Sequence, residues 1–442
     1  MDIDKTSLLD LSIFHHEEDQ SIFHRLNYTK TTDGKDWLMK LFREPFHEAG
    51  QILQTQQILQ QIIINSNDWP ETITNGTMMV IDRFYETQLD HIPAGKNPLN
   101  GFFYRLAHGP DYAIVRYSIG HFADFVRGFR QLINLLAKQG NPINLQFILT
   151  RAEDLLKGQY IQELGNIPTG TTLTPAQVIY FGNFLRYRFK TQAYELMQLF
   201  ARIDAWYGMA MAVKEMGLCF PDISDSSQPY IEAEQLYHIL LPTPIAYDLT
   251  LDKKHNFLFL TGANMAGKST FIRSVGAAVY LAHLGMGVPA KQFRLSLFEG
   301  ILSNINVADN ITRGESYFFN EVQRIKNTIL KINNGKKWLV LIDELFKGTN
   351  VQDAMKCSLA VINGLIRISD SLFILSTHLY EIGEELKDHP NIIFRYFETA
   401  VKDDQLHFSY QLKEGVSNDR LGYLILKREK VVELLEKLYH QP

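Results

Sequence analysis

Cysteine is scarce in this sequence, which has Cys219 and Cys357 in 442 residues. So few cysteines exclude a disulfide-stapled scaffold and a cysteine-rich zinc site, and they favour a reducing compartment. The sequence also lacks an uninterrupted apolar run of membrane-spanning length, and Met1 is not followed by the basic start and apolar core of a signal peptide. We therefore expect a cytoplasmic protein that does not enter a membrane.

A surplus of positive charge is missing as well. The formal net charge is −5. Residues 1–235 carry 20 Lys and Arg against 27 Asp and Glu, a balance of −7, and the remainder carries 24 against 22, a balance of +2. Surfaces that grip a nucleic acid duplex are usually rich in positive charge, so charge alone does not argue for such a partner. With 45% hydrophobic residues, the chain can bury the cores of two or more domains.

What the sequence does contain is a phosphate-binding loop, which has the pattern Gly-x4-Gly-Lys-Ser and follows an apolar run at residues 257–260. Glycines let the backbone N–H groups approach a polyphosphate closely, and the helix that starts near Lys268 directs its positive end at the anion. Lys268 is expected to reach the β- and γ-phosphates, and the Ser269 hydroxyl to bind Mg²⁺. The loop reads Thr261-Gly262-Ala263-Asn264-Met265-Ala266-Gly267-Lys268-Ser269-Thr270.

Two further apolar runs end in polar residues suited to the same chemistry. Residues 338–342 lead into Asp343 and Glu344, which predicts a central parallel strand with two carboxylates at the edge of the sheet where ligands bind. Asp343 suits Mg²⁺, and Glu344 suits a base that aligns the attacking water. Residues 372–375 lead to His378, which either senses the γ-phosphate or simply bonds to backbone at a strand end.

The first half of the chain predicts helices. Thr174 and Pro175 are typical of a helix start, and apolar residues then recur every three or four positions, which predicts one helix of roughly 60 Å to about Met216. This helix is either a lever between distant sites or the central helix of a bundle. Residues 221–229 form a linker rich in proline and serine, so we place the domain boundary near residue 235.

The motifs together resemble those of the MutS family, above all through Asn264-Met265 in the loop. The others are Gly287-Val288-Pro289-Ala290, Ala308-Asp309-Asn310, Gly314-Glu315-Ser316-Tyr317-Phe318-Phe319-Asn320-Glu321, Asp343-Glu344-Leu345-Phe346-Lys347-Gly348-Thr349-Asn350 and Ser376-Thr377-His378. The resemblance covers the second half of the chain and reaches weakly into the first. It departs from the family pattern at Ala263, Ala266, Lys347 and Asn350.

The resemblance implies a fold in which an all-α core or lever domain, residues 1–235, precedes an α/β P-loop ATPase domain of the ABC type, residues 236–442, with a mostly parallel sheet. It implies a homodimer in which two subunits enclose ATP and Mg²⁺, and helices at residues 420–439 that join them. Lys268, Glu344 and His378 would serve catalysis, and Ser269 and Asp343 would hold the metal. The nucleotide would contact Gly262, Asn264, Met265, Ala266, Gly267, Lys268, Ser269, Thr270, Ile245, Tyr410 and, from the other subunit, Ser316.

The family also implies DNA as the client, in mismatch repair or related DNA maintenance, through an ATP-gated clamp. The chain begins at the helical core of the family, so we expect no mismatch reading; Phe84-Tyr85-Glu86 has the letters of a reading motif, but Phe84 fits core packing better. An alternative is a nucleotide-gated module that acts on a protein or ribonucleoprotein, which the acidic first half favours.

Overall fold

The computed structural model describes residues 1–306, 317–402 and 405–417, and its elements are numbered along the chain. The strands are β1 (Asp2–Ile3), β2 (Asp222–Ser224), β3 (Ile231–Leu236), β4 (Tyr247–Leu251), β5 (Phe257–Thr261), β6 (Gln292–Ser296), β7 (Gly300–Asn304), β8 (Trp338–Asp343), β9 (Leu372–Ser376), β10 (Ile392–Lys402) and β11 (Gln405–Glu414). The helices are α1 (Lys5–Asp10), α2 (Ile22–Arg25), α3 (Thr32–Arg43), α4 (Ala49–Asn65), α5 (Asn75–Glu86), α6 (Pro98–Ala107), α7 (Gly109–Leu136), α8 (Ile143–Leu156), α9 (Gln159–Gly165), α10 (Pro175–Arg188), α11 (Lys190–Met216), α12 (Lys268–His283), α13 (Tyr317–Ile332), α14 (Val351–Leu365) and α15 (Glu381–Leu386). None of these helices combines the length and the apolar character that crossing a bilayer requires.

The chain forms two compact units. The first, here called the sheet unit, comprises Met1–Arg25, Glu44–Leu53 and the chain from Gly217 on; the second, the helical unit, comprises Leu26–Arg43 and Gln54–Met216. This division differs from the boundary expected near residue 235. β2 pairs with β6, and β1 pairs with β7, so residues on both sides of the expected boundary complete the sheets of one unit.

In the helical unit, α7 turns an apolar face inward, with Val115, Ile119, Phe122 and Phe129 buried. Phe84 on α5 is 1% exposed and packs edge to face on Phe122, which confirms that it belongs to the core. The predicted start at Thr174 is also confirmed, because Thr174 and Gln177 form a reciprocal capping box and Pro175 occupies the first turn.

The single helix predicted from Pro175 to about Met216 is wrong. The chain leaves the helical conformation at Phe189, with φ −116° and ψ 0°, and α11 then starts at Lys190. Phe189 is buried, and its ring stacks on Phe184 with centroids 5.4 Å apart. Apolar spacing continues across this break, so the pattern cannot distinguish one long helix from two consecutive ones. α7, with 28 residues, is longer than either.

The sheet unit is built on a seven-stranded sheet with the order β1-β7-β8-β9-β5-β10-β11. In this order, each strand from β1 through β7, β8, β9 and β5 to β10 runs parallel to its neighbours, and β11 pairs antiparallel to β10. β5, β8 and β9 are buried along their whole length, as expected for strands covered on both faces. The mixture of helices with a mostly parallel sheet agrees with the predicted fold class. A second sheet has the order β2-β6-β3-β4.

The amino-terminal segment completes the edge of the large sheet. Gly300 faces Asp2 across β1 and β7, and a Cβ there would lie 2.4 Å from both the Asp2 carbonyl oxygen and Trp338 Cζ3, so glycine is required. Asp10, which is 1% exposed, accepts hydrogen bonds from Ser303 Oγ at 2.6 Å and from the backbone N–H groups of residues 305 and 306. Arg324 on α13 lies 2.8 Å from the same carboxylate.

We expect Asp10→Asn to destabilise the sheet unit by about 3 kcal/mol, because the change removes a buried charge and leaves Arg324 without its partner. Hydrogen exchange of β7 and β8 during a urea titration measures this loss. Asp19→Asn is the matched control at an exposed position, where we expect a change within about 0.5 kcal/mol. Equal effects of the two substitutions would contradict the role given to Asp10.

Candidate functional site

The glycine-rich loop lies between β5 and α12, as predicted. Its backbone has positive φ at Gly262 (142°), Met265 (69°) and Gly267 (108°). A Cβ on Gly262 would lie 3.2 Å from the Phe397 carbonyl oxygen, so both conformation and space require glycine at this position. The loop therefore forms a tight turn. α12 begins at Lys268, and the unpaired N–H groups of its first turn lie next to the loop.

Lys268 is buried beneath this loop. Its Nζ donates to the carbonyl oxygens of Gly262 at 2.7 Å and Ala263 at 2.9 Å. Burial lowers the pKa of Lys268, and the nearby carboxylates of Glu344 and Asp343 oppose that shift. The ammonium group thus lies at the centre of the loop with carbonyl oxygens as its partners, which a stronger anionic acceptor could replace.

Asp343 connects three elements at the carboxyl edge of the sheet. One of its carboxylate oxygens accepts from Ser269 Oγ on α12 and the other from Ser376 Oγ on β9. The parallel register pairs Asp343 with Ser376, and Leu260 with Ser376 on the other side. Sequence reasoning placed Ser376 in a motif without giving it a role. The feature of the sequence that could have revealed this role is the position of Ser376 directly after an apolar run.

Glu344 has an unusual backbone conformation next to Asp343. Its φ is 64°, a value rare for residues with a side chain, and its N–H donates to the Ser376 carbonyl oxygen at 2.9 Å. The carboxylate lies 3.3 Å from Lys347 Nζ and 3.5 Å from His378 Nδ1. Burial alone would raise the pKa of Glu344. The hydrogen bond with His378 and the charges of Lys347, His378 and Lys268 outweigh it and lower the pKa to about 2.

A cavity of about 530 Å³ opens over the loop. Among the predicted residues it is lined by Asn264, Met265, Gly267, Lys268, Ser269, Thr270, Glu344, Ile245 and Tyr410. Gly262, Ala266, Asp343 and His378 do not line it; Gly262 and Ala266 shape the loop, and the other two contact residues that do. Ser316 and residues 420–439 lie outside the described residues. The roles of all these residues stay predictions at this stage.

Aromatic and polar groups from outside the loop also surround the cavity. Tyr247 on β4 packs edge to face on Phe271 and Phe397, and burial beside Tyr410 raises its pKa to about 12. His238, which sequence reasoning missed, also lines the cavity. Burial, with the charge of Arg273, lowers the pKa of His238 to about 4, so its imidazole is neutral at pH 7.

Comparison with known proteins shows which family this part of the chain resembles. Residues 258–436 match the family model described as MutS domain V. This part of the chain is therefore similar to MutS domain V. The DNA mismatch repair protein msh3 of Aspergillus fumigatus is 30% identical over 240 residues, and the DNA mismatch repair protein MutS of Pseudothermotoga lettingae is 28% identical over 230 residues. Each alignment covers 52% of this chain, but 21% of the first relative and 28% of the second.

The residues at which the sequence departs from the MutS pattern keep the local structure. Positive φ falls on either side of Ala266, at Met265 and Gly267, so alanine replaces glycine there without a strained backbone. Asn350 accepts from the Asp353 N–H at 3.0 Å and caps α14, as a hydroxyl residue would. Lys347 keeps a positive charge beside Glu344.

Glu321, near the start of α13, is a supporting residue that sequence reasoning gave no role. It is 5% exposed and accepts from the N–H groups of Lys347 at 3.1 Å and Gly348 at 3.2 Å, three and four residues after Glu344. The signal that could have found it was an acidic residue at the end of the signature motif, although the sequence could not say which backbone groups it meets.

The pKa of Glu344 predicts a pH dependence of stability. A carboxylate whose pKa falls from 4.5 to about 2 on folding stabilises the protein above pH 4.5 and loses this effect as the pH falls toward 2. We expect the difference in free energy of unfolding between the wild type and Glu344→Gln to shrink by about 2 kcal/mol from about pH 6 to about pH 3. Urea titrations at both pH values measure it. A constant difference would show that Glu344 is not held ionised.

Proposed function

We propose that this chain binds MgATP and hydrolyses it. The observation that carries the proposal is the convergence of Lys268 and Ser269, from the start of α12, with Asp343 and Glu344, from the end of β8, at one edge of a parallel sheet beside a cavity of about 530 Å³. Cavities of this size and position are typical of nucleotide sites in open α/β folds.

The residues of the loop fit a polyphosphate. The backbone of residues 262–267 curves around Lys268, whose buried ammonium group can exchange its two carbonyl acceptors for phosphate oxygens. Ile245 and Tyr410 also line the cavity, and each leaves about two fifths of its surface exposed, 41% and 39%. An adenine ring between them would gain an aromatic stack and an apolar contact.

The residues also fit Mg²⁺, which prefers a few oxygen ligands together with substrate phosphates. Ser269 Oγ and an Asp343 carboxylate oxygen contact each other, so both oxygens face one point next to the loop. The bound ion would supply positive charge that offsets the charge of the phosphates.

Glu344 would orient the attacking water. With a pKa of about 2 its carboxylate is ionised at neutral pH and accepts hydrogen bonds well, although it is a weak proton acceptor. Its contribution would therefore be positioning, the main requirement in phosphoryl transfer. His378 would hold Glu344 in place and respond to the charge of the phosphates.

As the wider function we propose an ATP-gated homodimer that acts on DNA. The support is the domain V family and the relatives that are named DNA mismatch repair proteins. The alternative, a protein or ribonucleoprotein client, gains support from α6 in the helical unit. Its side chains Leu99, Phe102, Phe103 and Leu106 follow helical spacing and are 58% to 73% exposed, as in surfaces that bind proteins.

We expect Glu344→Gln to reduce ATP turnover by at least about a hundredfold while nucleotide binding is retained, so that ATP accumulates on a dimer. Steady-state hydrolysis and analytical ultracentrifugation with ATP measure the two effects. Lys268→Ala is the comparison and should lose nucleotide binding itself. Turnover that persists in Glu344→Gln would remove Glu344 from this role.

We expect the chain to bind DNA in the presence of a nonhydrolysable ATP analogue, and to bind it more weakly as salt increases, because phosphate contacts release counterions. Titrations against duplex, branched and mismatched DNA at two salt concentrations, with and without the analogue, measure this. Absence of binding at low salt would exclude DNA and leave the protein client. Equal affinity for the three DNA forms would indicate a clamp without structural preference.

A further inference from the structure

The helical unit contains a cavity of about 520 Å³ that the proposed ATPase does not use. It lies between α7 and the loop of residues 167–173 that joins α9 to α10. On the side of α7 it is lined by Arg116, Tyr117, Gly120, His121 and Arg127. The volume lies within the range of small-molecule sites in proteins.

Gly120 keeps the space beside α7 open. A glycine in the middle of a long helix is unfavourable, because it loses more conformational freedom on folding than alanine. Elsewhere in α7 packing explains glycine, since a Cβ on Gly128 would lie 2.4 Å from Thr72 Oγ1 and 2.7 Å from Ile73 Cγ1. A Cβ on Gly120 would meet no atom within 4 Å. Protein packing therefore does not require glycine at this exposed position, and a larger side chain there would extend into the cavity that Gly120 lines.

The polar groups of the cavity are suited to an anion. Arg116 is exposed and makes no hydrogen bond or ion pair within the described chain, so its guanidinium is free to bind. His121 Nδ1 is buried and has no hydrogen-bond partner. Thr169, Thr171 and Thr172, which carry hydroxyl groups, line the loop side of the same cavity. A free guanidinium together with several hydroxyls is typical of phosphate recognition.

Arg127 fixes the loop against α7. Its guanidinium donates to the Ile167 carbonyl oxygen, to the Asp124 carboxylate and, at 2.8 Å, to Thr169 Oγ1. Asp124 is the acidic residue of the lining, and this ion pair offsets its charge. The charge of Arg116 is thus left uncompensated in the cavity, and Arg127 holds the loop of residues 167–173 in place beside it.

We infer that this cavity binds a small phosphorylated organic molecule, with its phosphate on Arg116 and the threonine hydroxyls and its body over Gly120 and Tyr117. The inference does not depend on the proposed ATPase, because it uses no residue of the glycine-rich loop. The phosphate can belong to a free sugar phosphate or to the end of a nucleic acid strand, which the same chemistry would recognise.

Isothermal titration of the full chain with ribose 5-phosphate and with ribose tests this site. We expect the phosphorylated sugar to bind at least about tenfold more tightly than ribose, and Arg116→Gln to remove about tenfold of that affinity. Gly120→Met should abolish binding by filling the space, while thermal unfolding shows no loss of stability, because methionine favours a helix more than glycine does. A 5′-phosphorylated oligonucleotide that binds more tightly, with the same response to both variants, would assign the phosphate to a strand end.

Arg188→Gln, at another exposed arginine of the helical unit, and Gly364→Met, at a helical glycine with open space, are the matched controls and should leave the affinity unchanged. Lys268→Ala changes the proposed nucleotide site and should also leave the affinity for the phosphorylated sugar unchanged. The inference fails if neither phosphorylated probe binds, if binding survives both Arg116→Gln and Gly120→Met, or if Lys268→Ala removes it.

Discussion

The parallel register of β5, β8 and β9 is the constraint on which the candidate site depends. It pairs Asp343 with Ser376 and Leu260 with Ser376, so three apolar strands end at the same level. Buried strands cannot slip by one residue without turning a whole set of side chains to the opposite face. The hydrophobic core of the sheet therefore positions the carboxylate of Asp343 between two hydroxyls, and the polar groups do not have to find one another through flexible loops.

Directly after this ordered edge the backbone becomes strained. Glu344 and Phe346 both have positive φ, at 64° and 60°, and neither is a glycine. Such conformations cost about 1 kcal/mol or more each and persist where the surroundings determine them. Here Ser376 accepts from the Glu344 N–H, and Glu321 accepts from the N–H groups of Lys347 and Gly348. The strain turns the Glu344 carboxylate toward the cavity. Asp343, one residue earlier, contacts the hydroxyls of Ser269 and Ser376 instead.

Much of the sheet unit could be predicted from the sequence, because its signals are local. The apolar runs before Gly262 and Asp343, and the glycines around Lys268, define strands, turn and helix within a few residues. The contributions of Asp10, Ser376 and Glu321 could not be predicted in the same way, since each depends on a contact between distant parts of the chain. The break at Phe189 was missed for another reason: helical periodicity records which residues are apolar but not where the backbone leaves the helical conformation.

The pairing of β1 with β7 has a consequence for biosynthesis. The ribosome makes β1 and α1 about three hundred residues before their partners in β7 and α13, so the sheet has high contact order and closes late. The helical unit is translated in between and can reach its native packing while the sheet is still incomplete. Until β7 is made, β1 has no strand to pair with, and unpaired backbone groups of this kind invite aggregation. Nascent chains of this protein thus have a period of exposure whose length is set by the rate of translation.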